Sequence, residues 1–137
     1  MKIFVDANIL VAVLNKEYPV FTYAARVLSL ADTPEFQVYT SPLALAMAFY
    51  FSSKKSGEKV AKRKISLMNE QIRVAVVTQD AVSSALDNKR VNDLEDGFQY
   101  YAALESGCNY IITEDLNDFY FSEIEVMGSE KFLKSYF

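Results

Sequence analysis

Ile3-Phe4-Val5-Asp6-Ala7-Asn8-Ile9-Leu10 decides how the rest of the chain is read. Ile3 to Val5 is a short apolar run of the kind that forms a buried strand. Asp6-Ala7-Asn8 follows at once, and an apolar helical pattern then runs on to Leu14. A carboxylate at an otherwise apolar strand-to-helix junction is costly to bury unless it is paired or bound to a metal. Asp6 therefore reads as a functional residue. The run from Ile9 to Leu14 resembles a signal-peptide core, but Asp6 and Asn8 interrupt the stretch and no small-residue cleavage site follows. No segment has the apolar length of a membrane span. The expectation is a soluble, cytoplasmic protein with no membrane partner.

The same alternation repeats downstream. A helical stretch is expected over Phe21 to Ala31, and Phe36 to Tyr39 alternates as a strand does. Ser41 or Thr40 then caps a long helix that carries Pro42 at its first position. Gly57 interrupts the pattern, and Glu58 to Glu70 resumes it with a charged face. Arg73 to Val77 reads as a strand, with Thr78 starting the next helix. Asp93 opens a periodic helix over about Leu94 to Glu105, and Gly107 stops it. Tyr110 to Ile112 is another apolar strand, Glu125 to Met127 an edge strand, and the last helix contains Phe132 and Leu133. Short apolar strands alternating with helices imply βαβ units. The expected fold is α/β: a three-layer αβα sandwich around a mostly parallel sheet of four or five strands, with residues 1–137 forming one domain.

Composition narrows the chemistry. There is no histidine among the 137 residues, so histidine-ligated zinc, Ser-His triads and histidine general bases are excluded. The single cysteine, Cys108, forbids an internal disulfide and suits a reducing compartment. Net charge is −4, which disfavours non-specific polyanion binding unless positive charge is concentrated locally.

In a parallel sheet, ligands bind beyond the carboxyl ends of the strands. Asp6 follows the first strand, and Thr113, Glu114 and Asp115 follow the strand Tyr110 to Ile112, so both groups are expected at one edge. Asp93 and Asp96, three apart at a helix start, share a face. A right-handed crossover would bring Asp96 to that same edge. The converging set is Asp6, Asp96 and Asp115, with Asp93 and Asp118 as outer members. Hard oxygen donors without sulfur or imidazole select Mg²⁺ or Mn²⁺. Each later acid also has an ordinary structural reading: Asp93 as a helix cap, Asp96 as a partner of the helix dipole, Asp115 and Asp118 as turn residues.

Three segments resemble the PIN-domain ribonucleases, a family that includes the toxins of toxin–antitoxin pairs. They are Met1 to Leu10, Asp93-Leu94-Glu95-Asp96-Gly97-Phe98-Gln99-Tyr100-Tyr101-Ala102-Ala103, and Tyr110 to Phe119. The resemblance implies a PIN-like fold and metal-dependent hydrolysis of RNA with Mg²⁺ or Mn²⁺. It implies that Asp6, Asp96 and Asp115 hold the metal, and that Asn8, Thr113 and Asp118 support them; Asp93 is a supporting candidate from its place on the helix alone. It also implies an antitoxin partner and a homodimer. One position departs from the family pattern. The helix-borne glutamate expected after the second strand falls at Met47, and no other acid lies nearby on that helix. A catalytically degenerate domain that binds RNA or protein is therefore the alternative reading.

Lys54 to Lys64 gathers six bases against one acid. Lys54, Lys55, Lys62 and Arg63 are candidate RNA-backbone contacts, although such runs are often solvated helix faces. Phe49-Tyr50-Phe51 and Phe98-Tyr100-Tyr101 suit the core or a subunit interface better than base stacking. Phosphatase and receiver chemistry also places an aspartate after the first strand. The phosphatase pattern wants a second aspartate where Asn8 stands, and the receiver pattern wants paired acids near Lys2 to Val5, where there are none.

Overall fold

β1 (Lys2–Val5) lies at the centre of a five-stranded sheet in the computed structural model, which describes residues 1–137. The strand order is β3-β2-β1-β4-β5, where β2 is Gln37–Thr40, β3 Arg73–Val74, β4 Tyr110–Ile112 and β5 Glu125–Met127. All four neighbouring pairs are parallel. Parallel neighbours need a crossover between them, and helices supply it everywhere except between β4 and β5, which a 3-10 turn and loop join. The helices are α1 (Ala7–Leu14), α2 (Val20–Ser29), α3 (Pro42–Ser56), α4 (Glu58–Asn69), α5 (Gln79–Asp87), α6 (Leu94–Glu105) and, after the last strand, α7 (Ser129–Tyr136).

Side-chain alternation sends successive strand residues to opposite faces. Ile3, Val5 and Ile112 join the larger core with Ile9 and Leu10 of α1, Val27 of α2, Ala44 and Ala48 of α3, and Phe132 of α7. Phe4 and Ile111 join the smaller core with Tyr100, Ala102 and Ala103 of α6 and with Phe119 and Phe121. Both faces are covered, which makes three layers and explains why the central strands β1 and β4 read as apolar runs.

Two elements differ from the sequence reading. The second helix ends at Ser29 and tightens into a 3-10 turn, Leu30–Asp32. β3 has two residues where Arg73 to Val77 was expected. Its partner β2 gives way at Ser41, whose hydroxyl caps α3 by accepting the Ala44 N–H at 3.0 Å. Ala75 N–H still donates to Thr40 C=O, and beyond it the strand has nothing left to pair with.

The topology also fixes where a ligand can enter. From β1 the chain builds outward through β2 and β3, then returns to the other side of β1 as β4 and β5. The carboxyl ends of β1 and β4 therefore flank the switch point, where open α/β sheets form their binding crevice.

Candidate metal centre

Asp6 occupies that crevice and is only 6% exposed. It ends β1 and caps α1, with Oδ1 accepting the Ala7 N–H at 2.7 Å. Its Oδ2 accepts the Thr113 hydroxyl at 2.9 Å. Thr113 in turn accepts from the Asn8 amide at 2.9 Å and from the Asp115 N–H at 3.0 Å, so its one donor and two acceptor positions are all used. The Glu114 N–H donates to the Asn8 carbonyl oxygen at 3.1 Å, which turns the Asn8 amide nitrogen towards Thr113, Asp115 Oδ2 (3.3 Å) and Asp6 Oδ2 (3.4 Å). Asn8 and Thr113 thus tie the end of β1 to the end of β4. Glu114 faces away, its carboxylate accepting from the Ser129 N–H and hydroxyl at the start of α7.

Asp6, Asp96, Asp115 and Asp118 line one cavity of about 440 Å³, together with Asn8, Glu17, Met47, Phe51 and Gln99. They come from three places: β1, the first turn of α6, and the loop after β4 with its 3-10 turn Leu116–Phe119. A crossover helix begins at the edge where the strands end, and that is what delivers Asp96. Asp115 precedes the 3-10 turn, but its carboxylate makes no capping bond there. Asp93 does cap α6, accepting the Glu95 N–H at 2.9 Å, and it does not line the cavity.

No basic side chain lines the cavity. The chain's one ion pair joins Lys134 to Glu130 within α7, and neither residue lines the cavity. Burial, followed by the charges of Asp93, Asp118, Asp6 and Glu95, pushes Asp96 from its ordinary 3.8 up to about 7. Asp6 is also raised, chiefly by burial, against the lowering effect of its Ala7 and Thr113 hydrogen bonds. Asp118 is raised by burial and by the neighbouring Asp115 and Asp93. Uncompensated carboxylates crowded in this way suit a bound cation. No three of them converge closely enough to chelate one ion by themselves. Another cavity, about 390 Å³, lies between α1, α2 and α4, but its mostly apolar wall holds a single acid, Asp32.

Two lining residues carried no assignment from sequence. Gln99 stands one turn after Asp96 and is 1% exposed. Its Oε1 accepts the Ser41 hydroxyl at 3.5 Å, leaving its amide nitrogen at the cavity wall without a protein acceptor. Glu17 enters from the loop after α1.

The basic segment stands apart from the cavity. Lys55 donates to the Asn15 carbonyl and Lys64 to the Leu14 carbonyl at 3.1 Å, so both cap the C-terminal end of α1. Lys54 lies over the Tyr50 ring, 4.2 Å from its centre, while Lys62 and Arg63 are exposed on α4. Tyr100 is buried in the smaller core, whereas Phe51 is exposed on the cavity rim.

The class these features define is the PIN domain: the model of that family matches residues 2–117, and the chain belongs to the family. Among individual proteins, it is 26% identical over 138 residues to Ribonuclease VapC1 of Aquifex aeolicus (strain VF5), spanning 96% of this chain and 92% of the relative. The fold is similar to that of VapBC-1 from nontypeable Haemophilus influenzae, with a TM-score of 0.71, 16% identity, and 95% and 99% of the two chains covered. It is also similar to VapC20 of Mycobacterium tuberculosis, a Sarcin-Ricin loop cleaving toxin, with a TM-score of 0.62, 21% identity, and coverage of 80% and 86%. The five-stranded parallel sheet is the architecture these domains share with this one. No helix of the chain is long and apolar enough to cross a membrane.

Proposed function

We propose that the chain is a divalent-metal-dependent endoribonuclease acting as the toxin of a toxin–antitoxin pair. The observation that carries this reading is the cavity at the switch point, where four aspartates from three elements meet with no cation of the chain to balance them. Asp6, Asp96 and Asp115 are the carboxylates that would hold Mg²⁺ or Mn²⁺, in part through the ion's own waters, with Asp118 assisting. When bound, such an ion supplies an activated water and neutralises charge developing at the phosphorus. Asn8 and Thr113 keep Asp6 and Asp115 aligned across the two strand ends. Asp93 starts α6 in the place that presents Asp96. The Gln99 amide offers a hydrogen bond to an anionic oxygen of the substrate. Exposed Lys54, Lys62 and Arg63 serve the RNA backbone, whereas Lys55 is committed to α1.

The protein partner is an antitoxin, in keeping with the similarity to chains from VapBC complexes. Residues 1–137 act as one cytoplasmic domain that pairs with a second copy. Met47 at the cavity wall favours a second reading, a domain that binds RNA without cutting it.

The test is cleavage of a panel of structured and unstructured RNAs with Mg²⁺, Mn²⁺ or EDTA, comparing wild type with Asp6→Asn. Asparagine keeps the capping bond to Ala7, so the fold survives while a charged donor is lost. Cleavage is expected to need the metal and to fall at least about a hundredfold in the variant, the scale of losing a major charge-stabilising group. Equal cleavage by Asp6→Asn would overturn the nuclease assignment. Salt-sensitive RNA binding by folded wild type, without cleavage, would favour the second reading.

A further inference from the structure

Asn8 and Thr113 tie Asp6 to Asp115, but the other two aspartates of the cavity stand on a different pair of elements. Asp96 lies in the first turn of α6 and Asp118 in the 3-10 turn after β4. A reciprocal pair of bonds joins the segments that carry them. Arg90 Nη2 donates to Tyr120 C=O at 3.3 Å, and the Tyr120 hydroxyl donates back to Arg90 C=O. We propose that Arg90 and Tyr120 are positioning residues, a clasp that fixes the spacing of Asp96 and Asp118 across the cavity; this role rests on the nuclease reading above.

Each half of the clasp is anchored beside its aspartate. On one side Asn88 ends α5, and its Oδ1 accepts the Arg90 N–H at 2.9 Å while its amide donates to the Tyr101 hydroxyl of α6 at 3.1 Å. Val91 then packs against Gly97, the residue after Asp96, so closely that a Cβ there would lie 2.7 Å from Val91 Cγ1. A shift at Arg90 is therefore passed to the first turn of α6 through packed atoms. On the other side, Tyr120 directly follows the 3-10 turn, two residues after Asp118. Phe119 and Phe121 flank it in the smaller core, and Phe121 meets the Tyr100 ring of α6 edge-on at 5.2 Å. The Glu123 N–H also donates to the Tyr100 hydroxyl, at 3.2 Å.

The two walls feel one another. Beyond burial, which is the largest influence on both, the charge of Asp93 raises Asp96 and Asp118 alike, and that of Asp118 raises Asp96. Arg90 and Tyr120 are themselves exposed, and hydrogen bonds that water can replace contribute little to stability. Their value lies in geometry, because a misplacement of about 1 Å at a reacting group can cost roughly a hundredfold in rate. The cavity then has two cross-links of matching purpose: Asn8 with Thr113 for the strand ends, and Arg90 with Tyr120 for α6 and the 3-10 turn.

RNA cleavage kinetics and Mn²⁺ calorimetry test this with wild type, Tyr120→Phe, Arg90→Gln, the double variant, Arg90→Lys and Asp6→Asn, each also followed in thermal melts. Tyr120→Phe removes one oxygen and keeps the ring. In Tyr120→Phe and Arg90→Gln, kcat is expected to fall and Mn²⁺ binding to weaken about tenfold each, as loss of a metal site's supporting partner does. KM for RNA should hardly change, and Tm should stay within about 2 °C of wild type, as for other surface substitutions. The double variant should fall no further than the worse single one, because the two residues act as a unit. Arg90→Lys, which can still donate to Tyr120 C=O, should keep most of the activity. Unchanged kcat and Mn²⁺ binding in Tyr120→Phe, with Asp6→Asn inactive, would overturn the clasp and leave the nuclease reading standing. A raised KM confined to Arg90→Gln would do the same, making Arg90 an RNA-backbone contact, and so would additive losses in the double variant. No cleavage by wild type would bring down the nuclease reading and the clasp with it.

Discussion

Asp96 shows how a single residue carries opposite demands. Its neighbours are acids and its surroundings partly exclude water, so the folded chain favours the protonated form, with a pKa of about 7 against an ordinary 3.8. The sign of the consequence follows from linkage. The folded state holds this proton more tightly than the unfolded chain does. The resulting stability is fully present below about pH 4 and is lost as pH rises through 7. Asp96→Asn removes the ionisation, so in EDTA the variant should melt above wild type at pH 8, by a few degrees. The gap should narrow steadily towards pH 5. Thermal melts across that range check it, and a variant less stable than wild type at pH 8 would contradict the account. The same substitution should abolish RNA cleavage, because a site group that costs stability without its ligand is retained for binding that ligand.

At the scale of elements, α6 both builds the core and delivers Asp96, and Gly97 shows how tightly it is placed. A Cβ there would lie 2.7 Å from Val91 Cγ1 and 3.1 Å from Ala85 Cβ, so α5 and the Val91 loop approach α6 as only glycine permits. Helix propensity alone would reward Gly97→Ala by about 1 kcal/mol, while overpacking costs about 1–3 kcal/mol. The clash should win. Gly97→Ala is expected to lower stability in urea unfolding by roughly 1 kcal/mol and to reduce cleavage, because residue 96 moves with the strained turn. An increase in stability would show that the contact relaxes freely. Much of this element was legible in the sequence: its start at Asp93, its periodicity, its stop at Gly107, and its delivery of Asp96 by the crossover. The close approach at Gly97 was not, because it depends on where α5 lies. Glu17 escaped notice for a related reason. The usual signal for its turn is a glycine, and here Lys16 takes the left-handed position. Gln99 has a polar character visible in sequence, but only its contact with Ser41, 58 positions away, shows which end of the amide is free. β3 was overestimated because Val74 to Val77 has strand character, while pairing stops where Ser41 begins capping α3.

For the molecule as a whole, the parallel sheet gathers carboxylates distant in sequence at one edge, and no basic residue lines the cavity there. A net charge of −4 therefore understates the local imbalance at the cavity. If a divalent cation relieves it, the relief belongs to the folded state alone, since the unfolded chain disperses these acids. Binding at a concentration 100 times the dissociation constant stabilises by about 2.7 kcal/mol. For a domain of this size that raises Tm on the order of 10 °C. The cation must displace protons from Asp96 and from Asp6, which burial also raises, so the gain should be clearly larger at pH 8 than at pH 5.5. Mn²⁺ in calorimetric melts should therefore move wild type upward at pH 8, move it less at pH 5.5, and leave Asp6→Asn nearly still. A single cooperative transition throughout is expected if residues 1–137 form one domain, because α7 joins the core of α1 and α2 although the family model ends at residue 117. Two separable transitions would refute that unity, and equal shifts in wild type and Asp6→Asn would locate the cation away from the strand ends.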